Sequence, residues 1–209
     1  MSKLVNDLIK DGYLKTDIII DAFSNVHRIE FIPEDLGSEA EANIPLPIGY
    51  GQTISQPLTV AIMLELLDPK PGDNILDVGS GSGWSTSLLA HIVGQKGKVI
   101  ALERMAELYK LGLKNTDKFG FVENGIVEFY KEDGNNGFEK NAPYDRILVS
   151  ASSEEIPNAL KKQLKVGGKM VIPVINSIWY LEKNGENEFH EEEYPGFSFV
   201  PLVKEFNNE

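Results

Sequence analysis

Two hydrophobic periods alternate along the chain. Leu4, Val5, Leu8 and Ile9, then Ile18, Ile19, Ala22 and Phe23, recur at helical spacing, and Asp11-Gly12 divides residues 2–26 into two helical pieces. Residues 57–67 (PLTVAIMLELL) predict a third helix, stopped by Pro69 and Pro71-Gly72. Beyond it, short apolar runs at 74–79, 98–103, 126–130, 144–151 and 169–174 read as buried strands, the last one following a Gly167-Gly168 turn. Helices are predicted over 84–93, 105–118 and 154–165. Strands separated by helices imply right-handed crossovers and a mostly parallel sheet, so the fold class is α/β and Rossmann-like. SIWYLEKN (177–184) and FSFVPLV (197–203) read as antiparallel edge strands, with Glu188 and Glu191 to Glu193 in a solvated loop between them. Residues 31–50, with Pro33, Pro45 and Pro47, read as loop.

Composition narrows this picture. The length of 209 residues suits one domain over 1–209: a helical and loop extension (1–56), a ligand-binding core (57–175) and C-terminal strands (176–209). The absence of cysteine excludes disulfides, thiolate zinc sites and cysteine nucleophiles, and fits a cytoplasmic protein. No apolar run reaches eighteen residues and the N-terminus does not read as a signal peptide, so no membrane partner is expected. The net charge of −12 and scattered basic residues argue against nucleic acid. KKQLK (161–165) reads as a solvated helix face near a C-terminus. His27, His91 and His190 are too far apart for a metal motif, and no metal is expected.

The strongest chemical signal is ILDVGSGSGWSTSLLA (75–90). A strand ends at Asp77-Val78, glycines follow at 79, 81 and 83, and a helix begins. Bare backbone and a helix N-terminus let a ligand approach closely beyond the strand ends. The sixth residue from Gly79 is Trp84, and from Gly81 it is Thr86, so the dinucleotide fingerprint fails; there is no P-loop. Glu103, at the end of the next strand, suits two ribose hydroxyls, and Asp133, after the strand beyond it, suits an adenine edge. These features favour a nucleoside without phosphates, S-adenosylmethionine foremost.

GYGQTISQP (49–57) raises a different question, because it places hydroxyls at a loop–helix junction without a base or a metal ligand. Helix capping by Thr53 or Ser55 ahead of Pro57 is one reading, and catalysis is another.

Taken together, AFSNVHRIEFIPEDL, PLPIGYGQTISQP, LDVGSGSGWSTSLLA, the EDG turn, YDRILVSASSEEIP, LKVGGKMVIPV and FVPLV resemble the protein-L-isoaspartate O-methyltransferase family over most of the chain, GQTISQP being the specific part. The resemblance implies a class I methyltransferase fold and methyl transfer from S-adenosylmethionine to the free carboxylate of isoaspartyl residues in damaged proteins. S-adenosyl-L-homocysteine is the implied product, and D-aspartyl sites are left open. It implies Ser55 and Thr53 at the catalytic position. Thr53, Ile54, Ser55, Gln56, Asp77, Gly79, Ser80, Gly81, Ser82, Gly83, Glu103, Asp133 and Gly134 would surround the cofactor, and Ser150, Ser152 and Val200 would border the peptide. Glu41, Asn43, the ASSEE loop and Ser198 depart from the family's usual pattern. The partners implied are isoaspartyl peptides and proteins, and a monomer is expected. A carboxylate, with a pKa of about 3.9, is already ionised at neutral pH and needs no general base. Two alternatives remain: a methyltransferase acting on a small molecule or RNA, and a cofactor-binding module that does not catalyse.

Overall fold

The computed structural model describes residues 1–202. Among them, seven strands form one sheet in the order Val127–Tyr130, Lys98–Leu102, Asn74–Val78, Tyr144–Val149, Leu164–Val174, Ser177–Lys183 and Phe189–Pro195. The parallel part comprises β3 (Asn74–Val78), β4 (Lys98–Leu102), β5 (Val127–Tyr130), β6 (Tyr144–Val149) and β7 (Leu164–Val174). The antiparallel strands β8 (Ser177–Lys183) and β9 (Phe189–Pro195) complete the far edge. Chain order reverses on either side of β3, which has β4 on one flank and β6 on the other. In open sheets of this kind ligands bind at that point, beyond the strand C-termini.

Strand residues alternate between the two faces, as the pleat requires. Ile75, Val99, Ala101, Leu148 and Val171 pack into one cluster with α1 (Lys3–Lys10), α2 (Asp17–Asn25), α3 (Pro57–Leu67), α4 (Trp84–Val93) and α5 (Ala106–Asp117). Leu76, Val78, Ile100, Ile147 and Met170 face the other way, against Leu160 of α6 (Asn158–Gln163) and the buried Tyr144. Both faces are therefore covered, and the runs are mostly apolar where β3, β4, β6 and the second half of β7 lie between the two layers. The N-terminal helices belong to this core: Leu8, Ile19 and Phe23 join it, and Glu65 of α3 accepts from Lys15 N, Thr16 N and Thr16 Oγ1 at 2.7–2.9 Å, fixing the start of α2.

Several expectations are corrected. The proline-rich segment expected as loop contains a hairpin, β1 (Leu46–Gly49) and β2 (Gln52–Ile54). The acidic stretch is the edge strand β9 rather than a loop, paired along its length with β8. FSFVPLV forms no regular strand as far as residue 202; Pro201 makes one isolated bridge to Ser152, and Val203 lies outside the described residues. Gly167-Gly168 belongs to a bulge early in β7, where the register jumps from Tyr144–Leu164 to Arg146–Lys169. The helix expected over 154–165 is shortened at its start by Pro157, which serves as its N-cap.

Candidate active site

Three strand ends and one hairpin build a cleft of about 900 Å³, counting its open mouth. Its floor is the turn from β3 to α4. Gly79, Gly81 and Gly83 all have left-handed backbone (φ 77, 53 and 88°), and the loop hangs from β4 by Gly79 N and Ser80 N donating to Leu102 O at 2.9 and 3.1 Å. A methyl group on Gly83 would sit 2.7 Å from Gly112 O of α5, so this glycine lets the loop and α5 touch. Asn115 of α5 adds a 3.0 Å hydrogen bond from its Nδ2 to Ser82 O.

Glu103, just after β4, is buried and held by main chain: Oε2 accepts from Gly81 N at 3.0 Å and Oε1 from Met105 N at 2.9 Å. Each oxygen keeps a further lone pair for a diol in the cleft. Asp133 accepts from Asn135 N and Nδ2 at 2.9 Å, which fixes the turn following β5. Gly134 lies so close to β3 that a Cβ there would stand 2.1 Å from Val78 Cγ1. Among the described residues, the charged side chains lining the cleft are Glu103, Glu132 and Asp133 against Arg104.

Asp77 is fully buried beneath the loop. Thr86 Oγ1 and Ser85 Oγ donate to its Oδ2 at 2.6 and 3.0 Å, while Oδ1 has no partner among the described residues. Burial pushes its carboxyl up to about 6, the hydroxyl donors opposing this and the nearby Glu103 charge adding to it. Ser80 Oγ is likewise buried without a partner among the described residues. Ser80 lines the cleft, so its orphaned hydroxyl fits a polar ligand bound there.

The hairpin closes one side of the cleft with Ile48, Gln52, Thr53 and Ile54. Beyond it runs a second groove, bounded by Pro45, Gln56, Thr59 and residues 196–199. Thr53, Ser55, Ser150 and Val200 line both, so the two spaces meet at the hydroxyls. Capping is not what those hydroxyls do. The N-cap of α3 is Gln56, without a side-chain cap bond, and Asn43 Oδ1 instead accepts from Leu58 N at 3.0 Å. Among the described residues, neither the Thr53 nor the Ser55 hydroxyl bonds another protein group.

Most of the expected cofactor residues line the cleft: Thr53, Ile54, Ser55, Gly79, Ser80, Gly81, Ser82, Glu103, Asp133 and Gly134. Gln56 borders the groove instead, Asp77 lies behind the loop, and Gly83 is spent on packing against α5. Ser150 and Val200 lie at the junction, whereas Ser152 lines neither space: its N donates to Val200 O and its Oγ to Ile175 O, at 2.8 and 3.1 Å. Sequence reasoning missed Trp84, Met105 and Leu108 in the cleft, and Phe197 and Phe199 in the groove. The signal for Met105 is its place just after Glu103 at a strand C-terminus; Phe197 and Phe199 lie in FSFVPLV, whose pattern predicts a strand. None of the three histidines lines either space, and His91 Nε2 meets Asp21 Oδ2 at 2.7 Å, joining α4 to α2.

The sequence profile of the protein-L-isoaspartate(D-aspartate) O-methyltransferase family matches residues 1–207. The protein-L-isoaspartate O-methyltransferase of Methanopyrus kandleri is 44% identical over 207 residues, which span 97% of this chain and 91% of that one. Protein-L-isoaspartate O-methyltransferase 2 of Archaeoglobus fulgidus is 44% identical over 191 residues, 90% of this chain and 86% of that one. A crystal structure of a Plasmodium falciparum protein assigned as a protein-L-isoaspartate O-methyltransferase, in complex with S-adenosyl-L-homocysteine, matches with a TM-score of 0.86 at 26% identity, covering 97% of each chain. With a family match over nearly its full length, and a glycine loop, a buried carboxylate and two unengaged hydroxyls lining one cleft, the chain belongs to the protein-L-isoaspartate(D-aspartate) O-methyltransferase family.

Proposed function

We propose that the chain methylates the free carboxylate of L-isoaspartyl residues in damaged proteins, with S-adenosylmethionine as the donor and S-adenosyl-L-homocysteine as the second product. The observation that carries this reading is the junction of cleft and groove at Thr53, Ser55, Ser150 and Val200. The cleft opens there onto the groove, and the meeting point holds hydroxyls rather than a base.

The cleft suits this cofactor. Its lining acids outnumber its base, which favours a cationic ligand over a phosphate. Glu103 would hold the ribose hydroxyls, Asp133 and Gly134 the adenine end, and Gly79 to Ser82 the amino-acid end. When bound, S-adenosylmethionine supplies a methyl carbon on positively charged sulfur, activated towards an oxygen nucleophile.

The protein's own task is then orientation and exclusion of water. Ser55 Oγ donates a hydrogen bond to one oxygen of the incoming carboxylate and leaves the other to react. No proton has to be removed, because the carboxylate is ionised at neutral pH. An arginine in this place would stabilise the ground-state charge that the reaction neutralises, which is the wrong differential. Holding the reacting groups in line contributes several kcal/mol, up to roughly 7–11 in favourable cases. Phe197, Phe199 and Val200 supply apolar walls to the groove, which suits a peptide bound through its backbone and flanking side chains.

In this reading the chain works as a single cytoplasmic unit and as a monomer. Residues 57–175 hold the cofactor, residues 1–56 supply the hairpin, and the C-terminal segment as far as residue 202 borders the groove. The test uses labelled S-adenosylmethionine with two peptides that differ only in an Asp or isoAsp linkage. Base-labile label on the isoAsp peptide alone is the expected result. Label on neither peptide, from protein that binds the cofactor, overturns the reading.

A further inference from the structure

Arg28 is 5% exposed, yet its recorded partners include no carboxylate. Its guanidinium donates instead to main-chain carbonyls. Nη1 reaches Ala40 O at 3.4 Å and Ala42 O at 3.2 Å; Nη2 reaches Ile44 O at 2.8 Å and Ser55 O at 3.3 Å. Among the described residues, Nε has no partner. Burial lowers its pKa to about 10, so it remains charged at neutral pH. A buried cation without a counter-ion is costly, and an apolar side chain of the same length is the usual way to stabilise such a place. Its presence calls for a reason other than stability.

The carbonyls supply one. Ala40, Ala42 and Ile44 lie just before β1, and Ser55 lies just after β2, so a single planar fork ties both outer ends of the hairpin together. The same guanidinium lies over the Trp84 ring, 5.6 Å from its centroid. Trp84 is the first residue of α4, directly after the glycine loop; it lines the cleft, and its Nε1 donates to Val26 O at 3.2 Å. Arg28 thus joins the segment bearing Ser55 to the start of the cofactor loop. A lysine could not do this, because its ammonium is a compact point charge rather than a spanning fork.

We infer that Arg28 is a positioning residue for methyl transfer: it fixes the Ser55 main chain against the cofactor loop, so that the Ser55 hydroxyl faces the reacting carboxylate in one orientation. This rests on the role given to Ser55 above.

The test is a double-mutant cycle of Arg28→Lys and Arg28→Met with Ser55→Ala. Folding is checked by circular dichroism and S-adenosyl-L-homocysteine affinity by calorimetry, and every folded variant is carried through the cycle. With Ser55 in place, each Arg28 variant is expected to lower kcat for an isoAsp peptide about tenfold or more, with cofactor affinity changed less than about threefold. In the Ser55→Ala background, the same substitutions are expected to change kcat less than about twofold, because the group they position is gone. Losses that multiply, cofactor affinity falling in step with kcat, kcat near that of the parent, or failure of both Arg28 variants to fold each overturn the inference and leave the proposed function standing. An unchanged kcat in Ser55→Ala alone shows instead that the role of Ser55 was wrong, and is recognised without any Arg28 variant.

Discussion

Ser55 stands between a two-stranded hairpin and α3, at the only corner the cleft and the groove share with Thr53, Ser150 and Val200 among the described residues. Since its hydroxyl caps nothing, removing it should spare the fold. Ser55→Ala is expected to lower kcat by one to two orders of magnitude, about the contribution of one positioned donor at a reacting oxygen, with melting temperature and S-adenosyl-L-homocysteine affinity nearly unchanged. Steady-state kinetics beside a thermal melt checks this; a lowered melting temperature with intact kcat contradicts it. Asp77 makes a prediction of the opposite kind, on stability. Its carboxyl is pushed up to about 6 by burial, from an ordinary value of 3.8. The folded protein therefore binds this proton more tightly than the unfolded chain does. That contribution to stability is fully present below the ordinary value and is lost as the pH rises through about 6, a swing on the order of 3 kcal/mol. Asp77→Asn removes the titration. The variant's stability relative to the parent should therefore rise between pH 4 and pH 7, measured by denaturant unfolding without cofactor. A difference that stays flat with pH would show that Asp77 ionises normally.

At the scale of elements, α5 and the glycine loop are fitted to each other through two glycines. A Cβ on Gly112 would lie 2.8 Å from Gly81 O, 3.1 Å from Phe129 Cε1 and 3.4 Å from Gly83 N. Most of these neighbours are backbone of the loop, so the helix must withdraw or the loop must deform. Gly112→Ala is expected to cost about 1–3 kcal/mol in stability. It should also weaken S-adenosyl-L-homocysteine binding about tenfold or more, because the displaced loop forms the cleft floor; a helix propensity gain with unchanged affinity would refute this contact's importance. The alternation of β3 to β7 with helices was legible in the sequence because strands buried on both faces must be mostly apolar, as in NILDV and KVIAL. The elements that escaped notice lack that signature. β1 and β2 total only seven residues and carry Pro47 and Gly49, so they look like loop. β9 is an edge strand with most side chains in water, and FHEEEYP gains its order from pairing with β8 rather than from burial. The site divides in the same way. Gly79 to Gly83, Glu103 and Asp133 were readable because each follows a strand by a short, regular step. Arg28 was not, because its partners are carbonyls 12 to 27 residues away, and carbonyls leave no mark on a sequence.

For the molecule as a whole, charge acts over distances that no single contact covers. The protein carries a net −12, and the cleft is lined by Glu103, Glu132 and Asp133 against Arg104. That field attracts a cationic cofactor and repels the anionic carboxylate that must meet it. At the reacting corner, the Ser55 hydroxyl donor offsets part of the repulsion. At longer range only solvent ions can do so, since the Debye length shrinks from about 30 Å at 0.01 M salt to about 8 Å at 0.15 M. For an isoAsp peptide with acidic flanking residues, kcat/KM is therefore expected to rise about two- to fivefold over that range, and for a lysine-flanked peptide to fall. The effect belongs to encounter, so it should appear in KM and leave kcat unchanged for both peptides. Initial rates for the matched pair across a salt series decide the matter. If both peptides responded with the same slope, local contacts in the groove would govern association, and the net charge would serve solubility alone.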